Sequence, residues 1–222
     1  MNRTRPALLA LALVGLLAAC APAARTTEVR PAALPPLTAA EHYHPHEPGT
    51  SLTYVDAEGN QYELETLAPR LLSGTAHQHQ QYVGPGVTRS TYRRDTPQGL
   101  LLSRVDDQAG TTTYDPPMLE LPPAGRLEVG LRWGGETTER QYATGAALEP
   151  SITAELSYLV EVTDRRNVRI GNERVTAFLI STEEYRRVGE STSRAAHERW
   201  YAPYYGDITN RESHDLVQLR SP

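Results

Sequence analysis

An antiparallel all-β fold, closing into a half-barrel, a barrel or a sandwich with at most one or two short helices, is what this 222-residue chain predicts. Three observations carry the prediction. Short runs rich in β-branched and aromatic residues recur every 8–12 residues or so, separated by Gly, Pro, Asn and Asp turn signals. Tyr (12) and Trp (2) far outnumber Phe (1), a balance that suits half-buried sheets better than helical bundles. No long stretch keeps a 3.6-residue apolar period between recognisable caps.

The runs follow one another from Tyr43. Ser51–Asp56 and Gln61–Leu67 flank the turn Ala57-Glu58-Gly59-Asn60, and His79–Val83 and Val87–Arg93 flank Gly84-Pro85-Gly86. Leu100–Val105 lies between Thr96-Pro97-Gln98-Gly99 and the turn Asp106–Gly110, which Thr111–Tyr114 then leaves. Asp115–Pro123 holds four prolines, each without a ladder N–H, and so reads as an extended crossover or edge segment. Gly130, Gly134 and Gly135 around Trp133 read as a turn or bulge. Leu156–Thr163, a turn at Asp164–Asn167, Val168–Ile170, Arg174–Thr182, Arg199–Tyr201 and His214–Leu219 complete the series. The one helix signal is Thr38 with Glu41 three residues on, which Pro45 discourages.

Ahead of this domain, residues 1–19 have Arg3 and Arg5 in front of an uncharged apolar run from Ala7 to Ala19. A run of about 13 residues is too short to span a bilayer, which needs roughly 20, and has the anatomy of a secretion signal. Residues 20–40 are rich in Pro and Ala and read as a semi-rigid tether. Residues 41–222 are left as a single β domain, long enough to stand on its own core.

Composition excludes several chemistries. Cys20 is the only cysteine, and all 22 basic residues are arginine. Schiff-base and lysine general-base mechanisms are therefore absent, and a lipid on Cys20 would use up the only thiol. The net charge of −5 becomes more acidic once Arg3 and Arg5 leave with the signal. Such a chain suits neither nucleic acid nor electrostatic attachment to an anionic membrane.

Candidate chemistry rests first on histidine. Five of the seven fall in two clusters, His42, His44 and His46, then His77 and His79. In an extended chain, residues two apart share a face, so His-x-His can present two imidazoles to one Zn²⁺ or Cu²⁺ ion. His44, His46, His77 and His79 are the candidate ligands, with solvated loops as the plainer reading. A hydrolytic triad from Ser191, Ser193, His197 and Asp207 lacks the strand-turn-helix elbow. The neighbours Glu183-Glu184 and Asp106-Asp107 point to opposite faces of a strand and make no facing acid–base pair. Trp133, Trp200, Tyr201, Tyr204 and Tyr205 are the candidates for contact with an apolar ligand or a partner, the alternative being that they are core and corner residues.

Two resemblances add to this. Leu17-Ala18-Ala19-Cys20 resembles the lipobox of bacterial lipoproteins. That implies cleavage before Cys20, a diacyl group on its thiol, palmitate or a similar chain on the new amine, and a cell-envelope location. Ala21 and Pro22 carry no Asp retention signal, which favours the outer membrane where one exists. Tyr43-x-Pro45-x-x-x-Gly49, Tyr114-x-Pro116-Pro117 and Arg199-Trp200-Tyr201-Ala202-Pro203-x-x-Gly206 together resemble a widespread group of bacterial envelope domains. Its hallmark is a late Trp-Tyr-Ala-Pro-Gly-x-Gly corner. The resemblance implies an antiparallel β fold, in some members compared with the half-barrels that carry lipoproteins through the periplasm, and no catalytic activity. The chain departs from the pattern at Tyr204 and Tyr205, where Gly is usual, and at His46, where an aliphatic residue is usual.

The expectation is a non-enzymatic, lipid-anchored envelope protein that binds a partner protein or an apolar ligand. The alternatives are a carrier of lipids or acylated proteins, and a metal-binding protein using the histidines.

Overall fold

The computed structural model describes residues 47–123, 127–145, 149–170, 173–210 and 215–220. These residues contain no helix and form one twelve-stranded antiparallel barrel. Its strands are β1 (Ser51–Val55), β2 (Gln61–Leu72), β3 (Thr75–Gly84), β4 (Val87–Thr96), β5 (Gly99–Asp107) and β6 (Gly110–Leu121). They continue as β7 (Arg132–Ala143), β8 (Ile152–Ile170), β9 (Glu173–Val188), β10 (Ser191–Ala202), β11 (Gly206–Thr209) and β12 (Asp215–Arg220). Each strand pairs with its neighbours in sequence, and β1 pairs with β12 to close the ring. Of the three architectures expected, the barrel is the one formed.

Local chemistry explains the hairpins. Ser73 and Gly74, at φ 50° and 80°, are both left-handed, as a two-residue turn matched to strand twist requires. Between β1 and β2, the Asp56 carboxylate accepts from the Glu58 and Asn60 amides at 3.0 and 2.8 Å and from the Asn60 side chain at 2.8 Å. Those bonds, led by the Asn60 side chain, hold its pKa below the ordinary carboxylate value.

Two expectations change and one holds in part. Asp164–Asn167 makes no turn, because β8 runs on through it and pairs with β9 from Glu155 to Ile170, with a register shift between Val162 and Asp164. Asp115–Pro123 is an edge in part, because pairing with β7 ends at Asp115 and the stretch beyond it pairs with β5 alone. Residues 110–115 pair with β7, Met118, Leu119 and Leu121 pair with β5, and Pro116 and Pro117 fall in the register break between Leu102 and Arg104, where no ladder N–H is needed. Gly134 and Gly135 lie in regular pairing inside β7. A Cβ on Gly134 would sit 2.3 Å from the Tyr158 carbonyl oxygen, so the close approach of β8 requires its absence.

The alternation of burial fixes which face is which. Along β8, Ala154, Leu156, Tyr158, Val160 and Val162 are buried, while Glu155 and Leu159 between them and Thr163 after them are exposed. The inner face gathers Leu100, Leu102, Met118, Leu121, Leu156, Val160, Ile180 and Tyr201 into the main core. Burial of each such side chain contributes about 1.5–3 kcal/mol. A barrel with its apolar core on the inner face and charged side chains on the outer one reverses the polarity of barrels that span membranes with strands.

Candidate functional site

The aromatic candidates divide between two faces. Tyr201 is fully buried in the main core, and Trp133 packs against that cluster with its Nε1 donating to the Leu119 carbonyl at 3.1 Å. Trp200, next to Tyr201 on the same strand, points the other way. There it joins Tyr204 and Tyr205 in a separate cluster around Ala177 and Ala202, and the Arg166 guanidinium lies 3.8 Å from its ring centroid. Tyr205 is 2% exposed. Tyr201 and Tyr205 therefore offer no surface to a partner, and the five aromatics do not share one. Tyr204 has φ 70°, a left-handed backbone, which is why glycine suits the equivalent place in the domains this corner resembles.

Cys20, His44 and His46 lie outside the described residues. His77 and His79 share the outer face of β3. The His77 Nδ1 donates to the Thr75 carbonyl at 2.9 Å, and its Nε2 meets the Ser103 hydroxyl at 3.1 Å. Both ring nitrogens are thus engaged within the protein. His79 stacks on Tyr92 with ring centroids 4.7 Å apart. Among the described residues, no three His, Cys, Asp or Glu side chains are placed to hold a metal ion. Asp207, the acid of the imagined triad, accepts two hydrogen bonds from Arg199 at 3.0 and 3.2 Å.

Three further sites were not legible from spacing. The first is a charged cluster on the inner face beside the apolar core. Arg93 grips both oxygens of Glu120, its Nη2 at 3.1 Å from Oε1, and also donates to Gln80 at 2.8 Å and Thr91 at 2.6 Å. Arg199 lies opposite on Asp207. Burial works against the Arg199 charge, but Asp207 and then Glu120 outweigh it and raise its pKa above the ordinary value. These groups line an inner cavity of about 60 Å³ together with Tyr54, Tyr82 and Asn210. That volume holds about two water molecules and not an acyl chain. The barrel is closed, and its inner face is packed around this polar pocket. Among the described residues there is no concave apolar sheet of the kind a lipid carrier needs.

The other two sites are open grooves on the outer face, on either side of Asp115–Pro117. One, of about 630 Å³, crosses β6 to β10 and carries Asp115, Glu136 and Glu155 with Arg187. Register aligns Thr138, Glu155, Arg187 and Thr192 across four neighbouring strands. The other, of about 670 Å³, crosses β2 to β6 and is lined by Arg70, Arg94 and Arg104 with His77 and Ser103. Two of these arginines pack on the buried Tyr92 ring, which is 1% exposed, with the Arg70 and Arg104 guanidinium groups 5.8 and 5.5 Å from its centroid.

The sequence matches no protein-family model and no curated protein. Two solved structures resemble the chain trace. One is a Bacteroides fragilis protein, inferred to be exported, with a YmcC-like fold. It is 13% identical, the match covers 81% of this chain and 99% of that one, and the TM-score is 0.44. The other is a Parabacteroides distasonis protein inferred to be a lipoprotein, 12% identical, with coverage of 81% and 98% and a TM-score of 0.45. Likeness at this level assigns neither a family nor a function to the chain.

Proposed function

We propose that the protein is a lipid-anchored lipoprotein of the cell envelope whose barrel is a non-enzymatic binding module. The observation that carries this reading is the polarity of the barrel. Among the described residues the interior is filled around a small polar pocket, the outer face is charged, and two roomy grooves open outward, which supports recognition on the outside of the barrel. A barrel of this polarity gains nothing from entering a bilayer, and attachment to a membrane falls to the lipid expected on Cys20. The tether of residues 20–40 sets its reach, with the outer membrane as the favoured site.

Metabolic labelling with palmitate tests the anchor. The wild-type protein takes up label and sediments with membranes, and Cys20→Ser does neither. Label retained by Cys20→Ser, or an unlabelled wild-type protein released by salt, overturns the assignment. Crosslinking of the anchored wild-type protein in its own envelope then tests binding, with the protein remaining uncrosslinked as the opposing outcome.

A further inference from the structure

We propose that the groove across β2 to β6 binds a small ligand bearing two or more carboxylate or phosphate groups. The inference goes beyond lipid anchoring and stands whether or not Cys20 is acylated.

The argument begins with charge. The chain is acidic overall, yet this groove is lined by Arg70, Arg94 and Arg104. A carboxylate neutralises Arg104, whose Nε and Nη2 lie 2.6 and 2.9 Å from Asp106. Arg70 donates instead to a neutral phenol, the Tyr92 hydroxyl, at 3.2 Å. The Nε of Arg94 is buried and has no hydrogen-bond partner among the described residues. A buried donor left unmatched costs free energy that an acceptor entering the groove would recover. The acid on the rim, Asp115, is held from outside by Arg140 at 3.2 Å.

Positioning comes next. A guanidinium fork binds carboxylate or phosphate through two parallel N–H donors when it is held in place. Here Tyr92 does the holding, with Arg70 and Arg104 over its ring and His79 stacked on it. His77 occupies Ser103 as a hydrogen-bond partner and fixes that hydroxyl in the groove wall. A volume of about 670 Å³ falls in the range of small-molecule sites.

Calorimetric titration of the full-length protein in detergent at low salt, with citrate in one arm and pyrophosphate in the other, tests this. Binding of at least one with Kd below about 1 mM is expected, and the arm that binds distinguishes carboxylate from phosphate. Arg94→Gln and, independently, the more exposed Arg70→Gln should each weaken binding about tenfold or more, while the melting transition stays in place in the first and falls by no more than about 4 °C in the second, which loses its bond to Tyr92. Arg132→Gln, which loses only an exposed pair with Glu161 outside the groove, should leave affinity unchanged. No heat from either probe at about 10 mM overturns the proposal, and so does equal affinity across all variants.

Discussion

The arginines inside the barrel and those in the outer groove are the same chemical group set to different tasks. Arg93 and Arg199 face inward, and each is matched by a carboxylate, Glu120 and Asp207. Arg70 and Arg94 face outward and end on a phenol and on no described acceptor respectively. A buried charge must be matched within the chain, because desolvation is too costly otherwise. A charge at the wall of a groove can be left for a ligand. The pairing of an arginine therefore separates structural from binding roles here better than its position in the sequence does.

Breaking the inner pairing should have the largest effect. Arg199→Met strands Asp207, and we expect a loss of about 3–5 kcal/mol in urea denaturation. Adding Asp207→Leu should restore part of that loss. A double variant no better than the single one would mean that the cluster holds the barrel by some means other than matched charge. A smaller effect is expected where the outer groove is built. Tyr92→Phe keeps the ring but removes the hydroxyl that accepts from Arg70, for about 1 kcal/mol of stability. A melting point unchanged from wild type would show that the hydroxyl does not fix the groove.

The smallest effect concerns pH. Burial, and then the Arg70 charge, hold the His79 imidazole below its ordinary value near 6.5, with Asp106 pulling the other way. The folded protein thus favours the neutral ring, and the unfolded chain takes up the proton first as pH falls. Stability from this group is complete above pH 6.5 or so and declines below it. The urea midpoint should therefore drop between about pH 7 and 5, less steeply in His79→Gln. An identical slope in that variant would assign the drop elsewhere.

Much of the fold was legible because a meander is a local object. Asp56–Asn60, Pro85-Gly86 and Pro97-Gln98 mark hairpins within a few residues, and alternation in Leu156–Val162 marks an inner face. The site was not legible, because faces in β2 to β6 depend on register shifts. Shifts between Leu67 and Arg70, Tyr92 and Arg93, and Leu102 and Arg104 break the period of two. Arg93 and Arg94 are neighbours on β4, yet one enters the inner cluster and the other the outer groove. Asp115–Pro123 is legible in part, since its prolines mark the stretch of β6 that leaves β7 and keeps pairs with β5 alone. The aromatic corner was easier to see than to interpret, because its burial depends on how far β8 and β9 extend beside it.

Closure of the barrel has a consequence for how it opens. Eleven of the twelve ring contacts join strands adjacent in sequence, so most of the sheet can form by zipping from one hairpin to the next. Only the β1–β12 seam, which brings Ser51 to Arg220, asks the chain to find a distant part of itself. Beside that seam the four-residue β11 meets β12 in the described residues at one register pair, Thr209 with Asp215. The ring is thinnest there. Amide hydrogens of β11 and β12 should exchange with solvent first, while those of the long β8–β9 ribbon report the unfolding of the whole barrel.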